Sequence, residues 1–356
     1  MKSNSSLKEF LAGKGVTLSP KVYFIDAMGS MAMGLFASLL ISTIFSTLAA
    51  WTGWELLEQA SSFCQSVTGA VLGVSVAYAL NAPALVLFSA AAVGYAGNGL
   101  GGTFIIAGAE KALTAGPAGA FVAVLVAVEL GKLVSRSTRV DILVTPVVTV
   151  LSGLLVAKLV CPVIAYAMYG IGSFVNTAAE MRPFIMGIII SVVVGMVLTL
   201  PISSAALCAM IGISGLAGGA ATAGCCAQMV GFAVISFREN GWGGLAAQGL
   251  GTSMLQMGNI CKKPAIWIAP TLAAAVTGPI ATLVFRLECE GVSAGMGTCG
   301  LVGPLGIISA MGVGSAKMWI GMALVCFVLP AVLSFAFNEL LRKAGIVKDG
   351  DMKLNL

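Results

Sequence analysis

Long stretches without a charged side chain limit most strongly what this chain can fold into. No Asp, Glu, Lys or Arg occurs at residues 27–54, 59–109, 183–237, 264–285 and 318–338. About 20 apolar residues cross the hydrocarbon core of a bilayer as a helix, and unpaired backbone groups are costly in lipid. The apolar runs are continuous rather than alternating, which argues against a β-barrel. The sequence therefore predicts an all-α polytopic membrane protein.

The few charges and the missing histidine exclude several function classes. The net charge of +5 is concentrated in the tails and short loops, so we interpret it as an orientation signal rather than a nucleic-acid surface. With no histidine, the chain has no Ser-His or Cys-His pair, no imidazole base and no site for phosphohistidine. We expect no enzyme activity, no metal and no other cofactor. Any phosphoryl transfer would occur on another polypeptide.

Proline and glycine breaks divide the apolar chain into about ten predicted transmembrane helices. These helices are expected at 22–50, 64–82, 83–99, 117–135, 140–168, 183–200, 201–217, 242–258, 264–285 and 317–341. Residues 102–115, 219–237 and 289–310 are harder to class, and we favour re-entrant or broken-helix segments there. Residues 1–21 are predicted to form a cytoplasmic amphipathic N-terminus and residues 342–356 a cytoplasmic tail, around a single membrane transport domain at 22–341.

Two internal repeats are predicted within that domain. The segment that starts at Pro83 resembles the one that starts at Pro201, and residues 116–146 resemble residues 241–270. Repeat one would span about 64–170 and repeat two about 183–287. Ten spans with re-entrant segments give parallel repeats, whereas full crossings would give inverted ones. Paired repeats are typical of transporters, whose solute site lies between them.

Buried polar side chains are the candidate solute ligands, because each costs free energy unless it is paired. Glu110, next to Lys111, could contact a polar solute inside the membrane or form an ion pair at a loop end. The repeat alignment places Gln228 near the position of Glu110, where it could bind solute or bridge two helices. Asn98 offers a further amide within a glycine-rich break. Glu129 and Lys132 have the spacing of a pair on one helix face.

The densest group of neutral polar residues lies in GLGTSMLQMGNICKKP. The spacing of Ser253, Gln256 and Asn259 places them along one stripe of a helix. Hydroxyls and amides both donate and accept hydrogen bonds without a charge to desolvate, as a sugar or polyol requires. The alternative is a stripe that packs against another helix.

A glycine-rich stretch without charge, GVSAGMGTCGLVGPLG at 291–306, carries the last candidate, Thr298. Glycine permits unusual backbone angles and close approach. Irregular backbone at membrane depth persists only where it is buried in protein or lines a cavity. We interpret the stretch as a re-entrant element that lines a cavity, with close helix packing as the alternative.

These motifs carry a family resemblance. GTSMLQMGNICKKP, SAGMGTCGLVGPLG, NAPAL at 81–85 and AGNGLGG at 96–102 resemble the membrane IIC-type proteins of the bacterial phosphotransferase system, over about residues 20–342. That group includes regulators of perfringolysin-type toxin expression in Gram-positive bacteria. Glucose-type relatives use a membrane histidine and a Gly-Ile-Thr-Glu motif, and this chain has neither; its nearest carboxylates by context are Glu110, Glu288 and Glu290.

The resemblance implies a permease-like subunit of the bacterial inner membrane, and the placement of Lys and Arg predicts that both termini are cytoplasmic. It implies a sugar-like solute, a homodimer and a separate IIB-type phosphoryl carrier as partners, besides the lipid bilayer. The solute would move by alternating access between the two repeats. The alternative is a membrane sensor or regulator of gene expression that keeps the IIC fold without phosphoryl-coupled transport.

Overall fold

The computed structural model describes residues 11, 13–16, 19–106, 109–312 and 315–354. Two compact units are present. Unit 1 comprises Met1–Leu39 and Ser62–Met168, and unit 2 comprises Leu40–Ser61 and Tyr169–Leu356. The predicted amphipathic helix of the N-terminus falls mainly on residues 1–10, outside the described part of the chain. The first predicted repeat, about 64–170, would end two residues past the end of unit 1 at Met168. The second, about 183–287, would lie within unit 2, and the symmetry between the two repeats stays a prediction.

Unit 1 is built from helices and one strand pair. Its elements are a π-helical turn at Val22–Ala27, α1 (Met28–Leu35), the end of α3 (Glu55–Ser66), α4 (Thr68–Ala79), α5 (Ala84–Gly99), β1 (Gly101–Ile106), β2 (Ala109–Thr114), α6 (Gly116–Val134) and most of α7 (Asp141–Ala179). Helices α4 and α5 pack closely, because a Cβ at Gly94 would overlap the backbone of Gly73. Glycine at such a crossing lets two backbones approach.

The strand pair in unit 1 is not the helix that an all-α fold leads one to expect. Residues 102–115 were expected to form a re-entrant or broken-helix segment; β1 and β2 form an antiparallel pair with Gly101 opposite Thr114 and Ile106 opposite Ala109, and re-entrance stays a prediction. The pair is closed at its base by a hydrogen bond from the Ala115 amide to the Leu100 carbonyl, 3.0 Å long. The run GGTFII contains β-branched and aromatic residues that favour extended backbone, and its two initial glycines disfavour continuation of the helix.

Unit 2 contains the remaining helices, several of them short. A π-helical stretch at Phe36–Leu40 lies across the boundary between the units. The α-helices are α2 (Ile41–Thr52), the start of α3, the end of α7, α8 (Pro183–Thr199), α9 (Ser204–Ile211), α10 (Gly215–Ile235), α11 (Phe237–Ala246), α12 (Met257–Lys262), α13 (Ile268–Pro279), α14 (Gly291–Ala294), α15 (Val302–Met311), α16 (Ala316–Ala323) and α17 (Leu329–Lys343). Short π or 3-10 stretches join some of them, at Ala247–Gly251, Ser253–Gln256, Pro264–Trp267, Ile280–Phe285, Cys299–Leu301 and Leu324–Val328.

Helix α10 forms the centre of unit 2. Most of its residues are buried, and it packs against α8, α13 and α17. A Cβ at Gly224 would overlap the Ser191 carbonyl of α8, and one at Gly219 would overlap the Leu287 carbonyl. The prediction of a re-entrant segment at 219–237 is therefore wrong. Residues 219–235 belong to one uninterrupted helix, and its small residues let the neighbouring backbones come close. The predicted helix 201–217 also differs, since it breaks between α9 and α10.

The chain between α10 and α13 is broken where one helix was predicted at 242–258. After α11, it runs through the π stretch Ala247–Gly251, the 3-10 turn Ser253–Gln256, α12 and the 3-10 turn Pro264–Trp267. Thr252 is extended, and its hydroxyl accepts a hydrogen bond from the Met254 amide at 3.2 Å. We call residues 247–267 the broken segment. Five glycines at 241–251 weaken helix continuity there.

Six helices of the described residues are long and apolar enough to cross a membrane. They are Val22–Ser46, Gly116–Val134, Asp141–Ala179, Gly215–Ile235, Pro264–Phe285 and Ala316–Lys343. A seventh span results if the bent pair α3 and α4 counts as one. The predicted all-α membrane architecture is confirmed in this general form, whereas the count of ten spans is not.

Candidate functional site

Two of the seven candidate ligands lie in unit 1. Asn98 is half-buried on the last turn of α5. Glu110 lies in β2, where its backbone is opposite Ile105; its side chain is outside what the structure describes. The predicted Glu129–Lys132 pair is present on α6 with 3.4 Å between Oε1 and Nζ. Lys132 also donates to the Gly15 carbonyl at 3.2 Å, so this pair attaches the chain near residue 15 to α6.

The other five candidates lie in unit 2, and two of them belong to one buried polar cluster. Gln228 on α10 is fully buried. Its Oε1 accepts hydrogen bonds from Trp267 Nε1 at 3.0 Å and from Thr199 Oγ1 at 3.4 Å. Its Nε2 donates to Thr271 Oγ1 at 3.1 Å. Thr199 Oγ1 also lies 2.8 Å from Ser253 Oγ.

We call these five side chains the Gln228 cluster. It joins α8, α10, α13 and the broken segment through uncharged donors and acceptors only. A wholly buried polar group at membrane depth is tolerated when it is hydrogen-bonded, as Gln228 is. Hydroxyls, an amide and a partly exposed indole are the groups that can exchange partners with the hydroxyls of a sugar.

Two further candidates, Gln256 and Asn259, form a second group with Gln248 and Ser236. We call this group the amide chain. Gln256 Nε2 donates to Gln248 Oε1 at 2.9 Å, and Asn259 Nδ2 donates to Gln256 Oε1 at 2.8 Å. Gln248 Nε2 in turn donates to Ser236 Oγ at 2.8 Å. The predicted proximity of Gln256 and Asn259 is thus present. Ser253, expected on the same stripe, instead bonds to Thr199 of the Gln228 cluster.

The amide chain is completed by main-chain atoms from the C-terminal tail. Gln256 Nε2 donates to the Met352 carbonyl at 3.0 Å, and Asn259 Nδ2 donates to the Lys353 carbonyl at 2.9 Å. The predicted cytoplasmic tail is therefore a docked segment rather than a free one over residues 347–354. Nothing in the spacing of the amides indicated this partner, which is separated from them by more than 90 residues.

Thr298 is fully buried in the glycine-rich stretch 291–306. Its hydroxyl donates to the Gly249 carbonyl at 2.5 Å and lies 3.6 Å from Met229 Sδ. Gly297 has a φ of 55°, and a Cβ there would lie 2.7 Å from Cys225 Cβ of α10. The buried irregular backbone expected here is observed, and its contacts match the alternative of close helix packing.

Two cavities in unit 2 involve none of the predicted ligands. One of about 380 Å³ lies among the end of α7, the start of α8 and the break before α10, with Asn176 and Ser214 as its polar lining. The other, of about 420 Å³, is lined mainly by charged side chains, among them Arg238 and Arg342.

Sequence reasoning also missed four members of the two polar groups: Thr199, Gln248, Trp267 and Thr271. A polar residue isolated in an apolar run was the available signal for Thr199 and Thr271.

The family comparison agrees with the membrane architecture. The profile described as phosphotransferase system, EIIC matches residues 25–354. The chain belongs to this EIIC family. EIIC proteins are permease-type membrane components of sugar transport, which implies a sugar substrate, a lipid bilayer and a IIB partner. No curated protein matches the chain significantly.

Proposed function

We propose that this EIIC protein carries a neutral sugar or polyol across the membrane and that the Gln228 cluster contributes to its binding site. The observation that supports this proposal is an uncharged hydrogen-bonding cluster beside a broken helix, in which Gln228, Thr199 and Ser253 are fully buried. In transporters, discontinuous helices place polar groups at membrane depth without exposing backbone to lipid. A sugar hydroxyl can replace each hydroxyl or amide partner in the cluster.

The finer features of the proposal are supported by the repeat pattern, the placement of Lys and Arg, and the family. We propose alternating access between two repeats in a homodimer of the bacterial inner membrane, with both termini cytoplasmic. The apolar helices Ala84–Gly99, Pro183–Thr199 and Cys299–Met311 are shorter than the seven spans. Counting them would bring the total to ten. Because the chain has no histidine, the phosphoryl group would pass to the sugar from a separate IIB protein.

Uptake into proteoliposomes tests the proposal. Radiolabelled glucose, fructose, mannitol and N-acetylglucosamine are each supplied with and without phosphoenolpyruvate and the purified phosphoryl carriers. Phosphorylated sugar inside the vesicles is the expected result. Uptake of unmodified sugar would retain the transporter and contradict phosphoryl coupling. If none of the four sugars is bound or moved, the alternative of a membrane regulator is favoured.

The site is tested separately by binding. Gln228→Leu removes the amide without adding volume at the centre of the cluster, and sugar affinity should fall by about 100-fold or more. Gln59→Leu is a matched control, because Gln59 is exposed and bonds only to Glu55 on its own helix. Equal affinities of the two variants would remove Gln228 from the site.

The membrane topology is tested by labelling single cysteines introduced at 139 and 262. The experiment shows whether the two loops that contain these residues are both cytoplasmic.

A further inference from the structure

The chain that follows α17 is held to unit 2 at two apolar anchor points. Val347 is 2% exposed and Met352 is fully buried, whereas Lys348, Asp349 and Gly350 between them are exposed. Both anchors join a hydrophobic cluster with Phe232 of α10 and Ile266 of the broken segment. A segment fixed at two points, with exposed residues between them, can leave its groove without unfolding the helices beneath.

Side chains of unit 2 also bind the main chain of residues 352–354, which we call the plug. Glu239 Oε2 accepts from the Met352 amide at 2.9 Å, and Asn240 Nδ2 donates to the Met352 carbonyl at 2.9 Å. Asn240 Oδ1 accepts from the Leu354 amide at 2.8 Å. With the bonds from Gln256 and Asn259, the plug is recognised through its backbone and one apolar side chain. This is how grooves commonly bind an extended peptide.

The bonds made by the amide chain are those that a sugar would need. Gln256 Nε2 and Asn259 Nδ2 both donate to carbonyl oxygens of the plug. A sugar hydroxyl oxygen accepts from an amide N–H in the same manner as a carbonyl oxygen does. While the plug is docked, neither of these two donor atoms is bonded to a solute.

We propose that the plug is an autoinhibitory segment whose release makes Gln256 and Asn259 available to the sugar. The proposal rests on the proposed function, and it adds Gln256 and Asn259 to the residues that bind sugar, together with a regulatory step. Plug and sugar compete for the same two donors, so each lowers the apparent affinity of the other. The ion pairs of Arg342, with Glu239 at 3.2 Å and with Asp349, hold the start of the tail beside the groove. The released plug therefore remains tethered close to its site.

Asn240 gives a selective test, because both of its side-chain bonds described above go to the plug and neither goes to the amide chain. Asn240→Ala is prepared in the full chain in nanodiscs, with Asn176→Ala, an exposed asparagine of unit 2, as the matched control. Hydrogen exchange at the Met352 and Leu354 amides reports docking, and binding of the four radiolabelled sugars reports access. Met352→Ala, which removes the anchor side chain, is a second variant that keeps the test decisive if Asn240→Ala folds poorly.

The expected result is faster exchange at both amides and an apparent Kd for sugar that falls by about tenfold in Asn240→Ala. Sugar added to the wild type should also accelerate exchange at these amides, and Asn176→Ala should behave as wild type. Faster exchange with unchanged sugar affinity would overturn this proposal and leave the proposed function standing. If neither the wild type nor a variant binds sugar, both are overturned.

Discussion

The two polar groups of unit 2 differ in where their hydrogen-bond partners come from. In the Gln228 cluster, every partner of the Gln228 amide is a side chain on a helix or on the broken segment. In the amide chain, side chains bond to one another, and main-chain carbonyls of the plug complete the set. The first group depends on the packing of the helices, and the second depends on a tail that is distant in sequence.

This difference predicts two kinds of response to mutation. Loss of a residue from the Gln228 cluster leaves buried partners without water, so the cost falls on the whole fold. Gln248 and Gln256 of the amide chain are also fully buried, but the main chain that completes this group belongs to a tail whose residues 348–350 are exposed, so we expect local release of the tail to let water replace the lost partner. The predictions below test this contrast by measured stability, from the largest expected effect to the smallest.

Gln228→Leu should give the largest loss of stability. The change leaves Trp267 Nε1 and the Thr199 and Thr271 hydroxyls without their amide partner inside the bundle. We expect a loss of about 2–4 kcal/mol in the free energy of unfolding. Equilibrium unfolding in detergent micelles measures it, with Gln59→Leu as the control. A loss no larger than that of the control would contradict the assignment of Gln228 as the centre of a buried cluster.

Gln256→Leu should lower the free energy of unfolding by less than Gln228→Leu does, although the Gln256 side chain also takes part in three hydrogen bonds. Asn240 still donates to the Met352 carbonyl in this variant, and the tail can admit water. We expect a loss of about 1–2 kcal/mol, with most of the added hydrogen exchange in the tail. If Gln256→Leu were more destabilising than Gln228→Leu, the contrast between the two groups would be reversed.

Trp267→Phe keeps an aromatic ring in the Gln228 cluster but removes its N–H donor. Gln228 Oε1 retains the weaker bond from Thr199, so the expected loss is about 1 kcal/mol. Thermal unfolding of the purified protein can resolve such a change. A neutral result would show that the indole N–H is not needed to satisfy Gln228.

The smallest effect concerns Cys261, which lies two residues after Asn259 and outside the candidate spans. Partial burial raises the pKa of its thiol above the ordinary value. Alkylation requires the thiolate, so at neutral pH the raised pKa should make Cys261 react more slowly than free cysteine. The rate should keep rising with pH beyond the range where a free thiol levels off. A rate equal to that of free cysteine across this range would disagree with the partly covered position of α12.

The helices could largely be predicted from the sequence, because charge-free runs and proline breaks act locally. The predicted helices 183–200, 264–285 and 317–341 agree with the structure to within a few residues. The strand pair after α5 could not be recognised, because its short apolar strands satisfy a helical membrane pattern equally well. The break at Thr252 was also missed, and so was the contact of Ser253 with Thr199, which lies 54 residues away along the chain.

The candidate site was predictable in its residue types but not in its partners. The spacing of Gln256 and Asn259 correctly indicated two neighbouring amides. Their partner in the tail depends on a contact across more than 90 residues, which periodicity does not record. For Thr298, glycines around it predicted buried backbone, whereas its actual acceptor at Gly249 depends on the fold of the broken segment.

The glycine contacts of α10 have a consequence for the design of genetic screens. At Gly219 and Gly224, any larger residue would push apart backbones that touch in the folded state. Random mutagenesis selected for loss of sugar uptake will therefore recover these positions as readily as residues that contact sugar. Surface abundance, measured for every recovered clone, separates the two groups: variants at these glycines should be scarce in the membrane. Clones at ligand positions should be abundant and inactive.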